Sequence, residues 1–341
     1  GNPIKVIKAQ SDTEEGRLIS QSIFQMKMQD HYRNNDFAIL YRTNAQSRSF
    51  EEGLRKQGID YQLIGGTSFY QRKEIKDMIA YFRLSLNNND EEALKRVINY
   101  PARGIGKTTI EKLIVAANAE SKPIWDVMVN IRRYGFSGRV ISAISNFVTM
   151  IQAFRIESES KNAFDTASFI AKNSGILKAL DEDDTQEGRS RFENVQELLA
   201  GIKEFTEDEE QEGKSLGAFL QNVSLLIDAD KKDGNDDKVT LMTVHAAKGL
   251  EFPVVYIVGM EENLFPSQMS MQSREELEEE RRLFYVAVTR AEKRLYLSYA
   301  GTRYRWGNLI YSEPSRFLEE MDPKYLEYDV GSVKKATETR C

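Results

Sequence analysis

Two uninterrupted apolar runs lie far apart in this chain, and a long stretch with helical periodicity separates them. The runs, Phe37–Tyr41 and Val254–Val258, are typical of parallel strands that are buried on both faces. Between about residue 69 and residue 230, apolar residues recur at helical spacing. Both patterns are satisfied by an α/β domain whose parallel sheet is built from both ends of the chain and is interrupted by an all-helical insert.

The domain boundaries follow from where the pattern changes. We predict an α/β domain formed by residues 1–69 and 238–325, a helical insert at residues 70–237, and a tail at residues 326–341. The second boundary is marked by a polar linker, Lys231–Asp237. A length of 341 residues fits roughly two domains.

Composition excludes several classes of protein. The chain has one cysteine, Cys341, and two histidines, so we expect neither a disulfide framework nor a metal site, and a reducing compartment fits. No apolar run approaches the roughly 18–20 residues that a membrane span needs, so no membrane partner is expected. The net charge of −6 is unlike that of a protein that coats nucleic acid, although a local basic groove is compatible with it.

Residues 101–109 (PARGIGKTT) contain a sequence like the end of a phosphate-binding P-loop. A P-loop needs a glycine five residues before its last glycine, where Pro101 stands, and it follows a strand rather than a helix. We therefore predict a helix start instead, with Thr108 or Thr109 as its cap. Two interpretations of Gly104–Lys107 stay open: a tight turn between helices, or a loop whose backbone N–H groups hold a phosphate.

The segment after the predicted strand Val239–Val244 is rich in polar residues, and contains His245, Lys248, Gly249 and Glu251. We expect this group at the carboxyl end of the strand, because ligands of doubly wound sheets bind at that edge. A glycine there suits a close approach of the backbone to another group. The alternative is that the histidine is a structural residue.

Arg290 is an unusual residue within a predicted helix at Glu276–Ala291. It shares one stripe of that helix with Leu283, Val286 and Ala287, and no other charge lies on the stripe. A guanidinium buried among apolar side chains requires an anionic partner. That partner is either a carboxylate of this chain or a phosphate of a ligand.

Basic and aromatic residues alternate after two of the predicted strands. The segments are Tyr41–Asn44 (YRTN) and Arg303–Trp306 (RYRW). Such residues can stack on bases and hold phosphates. Each segment alone is a weak signal, and their shared position after a strand makes the pair more informative.

Four segments of the chain resemble motifs of the superfamily 1 DNA helicases of the UvrD/PcrA/Rep family. Residues 37–48 resemble motif IV, residues 65–77 motif IVa, residues 239–252 motif V and residues 278–291 motif VI. The resemblance extends over about residues 37–321. It implies that the α/β domain is a RecA-like domain, called 2A, and that the helical insert is the domain called 2B.

The resemblance also implies roles for individual residues. Arg290 is implied to be the catalytic arginine finger on the γ-phosphate of ATP, and Gly249 and Glu251 belong to the same ATP site. Residues implied in DNA binding lie in both domains: Arg42, Asn44, His245 and Trp306 on a single strand, and Gly104, Gly106 and Lys107 on a duplex.

The implied function is that of the second motor half of an ATP-dependent 3′-to-5′ DNA helicase. We expect the Walker A and Walker B motifs and the Mg²⁺ ligands in a first motor half outside this sequence, so that the chain alone is inactive. Expected partners are that half, single-stranded DNA, single-strand/duplex junctions, and repair or replication proteins in the bacterial cytoplasm, at the nucleoid. Two alternatives are the motor part of an AddA/RecB-type helicase-nuclease and a non-enzymatic DNA-binding module.

Overall fold

The computed structural model describes residues 2–209, 211, 213–229, 236–305 and 308–329. The chain divides into two compact units. The α/β unit comprises both ends of the chain, up to Phe69 and from Ala229, and the insert unit is Tyr70–Asp228. Most of the predicted linker Lys231–Asp237 lies outside the described residues.

The α/β unit is built on a mainly parallel sheet. In the part of the chain that is described, it has eight strands: β1 (Ile4–Ser11), β2 (Phe37–Tyr41), β3 (Tyr61–Ile64), β4 (Val239–Thr243), β5 (Phe252–Ile257), β6 (Ala291–Arg305), β7 (Asn308–Tyr311) and β8 (Leu326–Asp329). Their order across the sheet is β3-β4-β2-β5-β6-β1-β8, and β7 pairs antiparallel with the end of β6. The predicted α/β sheet built from both chain ends is confirmed.

The helices follow the same division. Two precede the insert: α1 (Asp12–Gln29) and α2 (Ser47–Lys56). The insert contains α3 (Lys73–Leu86), α4 (Glu91–Val97), α5 (Lys107–Glu120), α6 (Ile124–Val129), α7 (Gly138–Ser160), α8 (Ala163–Asn173), α9 (Ile176–Asp181), α10 (Gln186–Glu207) and α11 (Leu216–Ala229). After it come α12 (Arg274–Val288) and α13 (Arg316–Glu319). No helix in the described ranges is long and apolar enough to cross a membrane.

Both faces of the sheet are covered, which explains why β2 is buried at every position. On one face, α12 and α13 pack through an aromatic group of Phe265, Phe284 and Phe317. On the other face lie α1 and α2. These two helices approach closely at Gly16, where a Cβ atom would lie 2.3 Å from the carbonyl oxygen of Ser49.

The helix that follows the Gly104–Lys107 segment begins differently from the prediction. Gly106 is the N-cap of α5, and Thr108 and Thr109 lie inside the helix, so the predicted threonine cap is wrong. Gly106 supplies no side-chain cap to α5. The N–H of Thr109 donates to the Gly106 carbonyl at 3.0 Å, whereas the N–H groups of Lys107 and Thr108 have no acceptor in the described part of the chain. The segment follows α4, as expected of a helix–turn–helix connection rather than a P-loop.

Candidate functional site

The candidate residues of the α/β unit form two groups at opposite edges of the sheet. Arg42 directly follows β2, and His245 lies in a 3₁₀ turn directly after β4, so both are at the carboxyl edge. Glu251 directly precedes β5 and Arg290 directly precedes β6, so these are at the amino edge. The expectation that His245 and Glu251 lie together at the end of β4 is therefore wrong. Both β4 and β5 run parallel to β2, so the chain leaves β4 at the carboxyl edge and enters β5 at the amino edge. The segment between these two strands therefore runs from one edge of the sheet to the other.

Arg290 is held at the amino edge by uncharged acceptors. Its guanidinium donates hydrogen bonds to the Val286 carbonyl (Nε, 3.0 Å), the Leu250 carbonyl (Nη1, 2.9 Å) and the Thr289 hydroxyl (Nη2, 3.0 Å). Its own carbonyl accepts from the Phe252 N–H at 2.9 Å. Within the described residues, no carboxylate lies within ion-pair distance of Arg290. An internal ion pair is thus not observed, and the side chain, only partly buried, can still donate N–H groups to an anion.

Gly249 and Glu251 flank Leu250, whose backbone carbonyl accepts a hydrogen bond from the Arg290 side chain. Gly249 has φ +86°, in the left-handed region, and a Cβ atom placed on it would meet nothing within 4 Å. The positive φ by itself accounts for a glycine at this position. Glu251 is exposed. The Arg290 side chain binds Leu250 and the Arg290 carbonyl binds Phe252. These two hydrogen bonds keep the segment that contains Gly249 and Glu251 next to Arg290.

At the carboxyl edge, Arg42 makes a side-on ion pair with Glu280 of α12. The Arg42 Nε lies 3.0 and 3.1 Å from the two carboxylate oxygens, and Nη2 lies 2.7 Å from Oε1. The carboxylate also accepts from the Ser267 N–H at 3.2 Å. Glu280 is nearly inaccessible, with 6% of its side chain exposed, whereas 21% of Arg42 is exposed. The pair is therefore buried on the carboxylate side and open to solvent on the arginine side.

His245 is electrostatically coupled to this pair. Partial burial lowers the pKa of His245 below its ordinary value, the nearby Arg42 cation lowers that pKa further, and the Glu280 carboxylate opposes the change. A lowered pKa keeps the imidazole neutral at pH 7, when one ring nitrogen donates a hydrogen bond and the other accepts.

The backbone after β2 is folded into a fixed turn. Asn44 begins a short 3₁₀ segment that ends at Gln46, whose Oε1 accepts from the N–H groups of Arg42 (3.0 Å) and Thr43 (2.9 Å). Asn44 thus lies two residues beyond Arg42 at the same edge. The other residue implied in single-strand binding, Trp306, lies outside the described residues.

Arg303, in the RYRW segment at residues 303–306, has an internal role. Its Nε lies 2.6 Å from Glu261 Oε2, its Nη2 lies 2.9 Å from Glu15 Oε2, and its Nη1 lies 3.6 Å from Asp12 Oδ2. All three carboxylates are buried. Arg303 is consequently committed to the core of the α/β unit and does not contribute to the weak phosphate-binding signal of the RYRW segment.

In the insert unit, hydrogen bonds from the preceding residues hold the candidate loop Gly104–Lys107, and its two glycines and Lys107 are exposed to solvent. Arg103 donates to three backbone carbonyls and a tyrosine hydroxyl, and the Asn99 Oδ1 accepts from two N–H groups of the loop. Gly104, with φ +76°, and Gly106 have open space where a Cβ would be. The side chain of Lys107 is 92% exposed. The loop is a tight turn, and it also presents the uncapped N-terminus of α5, so both interpretations remain.

Sequence reasoning missed Glu280, although a signal was present. Glu280 precedes Leu283, Phe284 and Ala287 by three, four and seven residues, which puts it on the apolar stripe of α12, so the expectation that Arg290 is the only charge on that stripe is wrong. This is the same argument that singled out Arg290. No group of three or more potential metal ligands is found among the described residues.

Comparison with known proteins gives consistent matches along the chain. An ATP-dependent DNA helicase PcrA of Staphylococcus epidermidis is 40% identical over 338 residues, which is 98% of this chain and 46% of the relative. A protein of the same name from Staphylococcus aureus is 39% identical over 333 residues, 96% of this chain and 45% of the relative. The chain therefore spans about half the length of these curated relatives. The family model described as the UvrD-like helicase C-terminal domain matches residues 1–302, and the chain belongs to that family.

Proposed function

We propose that this chain is the second motor domain and the insert, domains 2A and 2B, of an ATP-dependent 3′-to-5′ DNA helicase. The proposal is supported by the family membership and by relatives that bear the name of ATP-dependent DNA helicases. The other half of the motor supplies the Walker A and Walker B residues and the Mg²⁺ ligands. The complete enzyme acts on DNA in the bacterial cytoplasm, with repair or replication proteins as further partners.

The observation that carries the proposal is the arrangement around Arg290. Its guanidinium is fixed by three uncharged acceptors while its charge is not balanced by a carboxylate among the described residues. Such a group fits the γ-phosphate of ATP bound by the first motor half. There Arg290 donates N–H groups to the phosphate oxygens and stabilises the charge that develops during transfer. Glu251 is positioned beside it to bind the ribose hydroxyls, and Gly249 gives the segment its required turn.

DNA binding is assigned to two other surfaces. Arg42, Asn44 and His245 form a single-strand contact at the carboxyl edge of the sheet, with Trp306 as a further contact that stacks on a base. The loop Gly104–Lys107 binds the phosphates of a duplex through backbone N–H groups and the exposed lysine. Nucleotide and single strand are therefore bound at opposite edges of one sheet.

The test is the substitution Arg290→Ala in the full-length enzyme. ATP turnover should fall by about 10³- to 10⁵-fold, as when an arginine finger is removed from related phosphoryl-transfer enzymes. Single-strand binding should change little, because Arg290 lies at the other edge of the sheet. Arg282→Ala is a matched control, since Arg282 lies on α12, is exposed, and among the described residues pairs with Glu279 of the same helix alone.

Three results would contradict the assignment. If Arg290→Ala retains ATP turnover, Arg290 is not the finger. If circular dichroism shows that it has lost its fold, the residue is structural. If the unmodified full-length protein binds DNA but never hydrolyses ATP, the chain is part of a non-enzymatic DNA-binding module.

A further inference from the structure

The side-on pair between Arg42 and Glu280 leaves one end of the guanidinium open. Glu280 occupies the Nε–H and one N–H of Nη2. The other three N–H groups of Arg42 have no acceptor in the part of the chain that is described. Since the carboxylate is buried and 21% of the arginine side chain is exposed, the part of the pair that a ligand can reach belongs to Arg42.

Glu280 is itself fixed by the fold. It lies on the inward face of α12, beside the buried residues Phe284 and Ala287, and its carboxylate accepts from the Ser267 N–H. An arginine side chain loses considerable rotamer freedom when it binds a ligand. A bidentate carboxylate on a rigid helix removes that freedom before the ligand arrives.

We propose that Glu280 is a positioning residue for DNA binding, which holds the Arg42 guanidinium with its Nη1 end toward a phosphate of the single strand. The proposal rests on the proposed function, in which Arg42 contacts single-stranded DNA. Glu280 acts through Arg42 and does not touch the DNA. The same contact fixes Arg42 to α12, the helix that leads to Arg290.

The proposal predicts that removal of the Glu280 charge changes the affinity for single-stranded DNA in the direction opposite to that expected from charge repulsion alone. Glu280 is an anion close to bound DNA, so its neutralisation alone should strengthen binding. If Glu280 orients Arg42, Glu280→Gln should instead weaken single-strand binding by about 2- to 10-fold, the range expected for leaving one long side chain to be ordered by the ligand. Glu279→Gln is the matched control, because Glu279 is the preceding residue, is 72% exposed and pairs with Arg282. It should leave the affinity unchanged or slightly increased.

The experiment is fluorescence anisotropy of a labelled single-stranded oligonucleotide at low salt, with the full-length enzyme and its variants. A double-mutant cycle completes it: if Glu280 acts only through Arg42, Arg42→Gln with Glu280→Gln should bind as weakly as Arg42→Gln alone. Arg42→Lys is a second, independent variant, because lysine keeps the charge but cannot form the side-on pair. It should also weaken binding.

Each result has a definite meaning. Glu280→Gln or Arg42→Lys binding as tightly as the unmodified enzyme overturns the positioning role and leaves the proposed function intact. Arg42→Gln without effect on single-strand binding overturns the single-strand contact and the positioning role with it. Proton NMR of His245 verifies that the group is intact, since the chain has only two histidines and Glu280→Gln should lower the pKa of His245 further, whereas Glu279→Gln should not.

Discussion

Replacement of Arg303 by glutamine should destabilise the α/β unit strongly while leaving the insert unit folded. Arg303 is the shared cation of Glu15, which is 0% exposed, Glu261, which is 1% exposed, and Asp12, which is 3% exposed. Removing one partner of a buried ion pair costs about 3–5 kcal/mol, because it leaves uncompensated charge in a medium of low polarity. We expect a loss of free energy of unfolding within that range for Arg303→Gln.

The loss should depend on pH. Burial raises the pKa of Glu15, the Arg303 cation opposes this, and the Glu261 carboxylate adds to it. Without Arg303 the pKa of Glu15 rises further above its ordinary value of 4.5. A carboxyl group with a raised pKa in the folded state binds its proton more tightly there than in the unfolded chain, so stability falls as the pH rises through the folded pKa. The variant should therefore be weakest at neutral pH and recover part of its deficit as the pH is lowered toward 4.5.

The measurement is urea unfolding combined with hydrogen exchange and mass spectrometry, which separates peptides of α1 and β6 from those of the insert. Arg155→Gln is the control, since Arg155 makes an exposed ion pair with Glu159 on α7 and should cost little. The reasoning is refuted if Arg303→Gln costs no more than the control, or if its deficit is the same at all pH values.

Three further predictions concern single positions. Gly249→Ala should cost about 1–2 kcal/mol in thermal unfolding because of its positive φ, although its surroundings are open. Gly16→Ala should cost about 3 kcal/mol or more, since its Cβ would overlap the Ser49 carbonyl, whereas Gly138→Ala, with nothing within 4 Å, should not destabilise. The pKa of His245 measured by NMR should lie below the ordinary 6.5, because of its partial burial and the nearby Arg42 cation, and a value at or above 6.5 would contradict this reasoning.

The strands with the strongest sequence signal were the buried ones. The run Phe37–Tyr41 matches β2, which is buried at every position, and Val254–Val258 overlaps β5. For β6 the apolar signal at Leu295–Ser298 covers only the centre of a strand that extends from Ala291 to Arg305, because its ends are less buried. Neither β7 nor β8 was predicted, since these short strands are stabilised by backbone pairing, and the side chains of β7 and of Glu327 and Tyr328 in β8 are exposed.

The candidate site was predictable where strand ends define it, and not where a segment crosses the sheet. Arg42 and His245 lie at one edge because β2 and β4 are parallel neighbours. The position of Glu251 at the other edge depends on the path of the chain between β4 and β5, which periodicity does not reveal. Likewise, nothing in the spacing of Arg303 could show that two of its partners, Asp12 and Glu15, lie almost the whole chain away in sequence.

The topology of the sheet also has a consequence for folding during synthesis. The insert leaves after β3 and returns before β4, which are paired neighbours, as Tyr61 with Val239. Closing a flexible loop costs about 0.6 kcal/mol more for each doubling of its length, so an unstructured insert would cost about 2 kcal/mol more than a short connection. The insert emerges from the ribosome whole before β4 is made, and once folded it no longer costs the entropy of a long loop. We expect the insert to fold first and the sheet last, because β1 must wait for its partner β6.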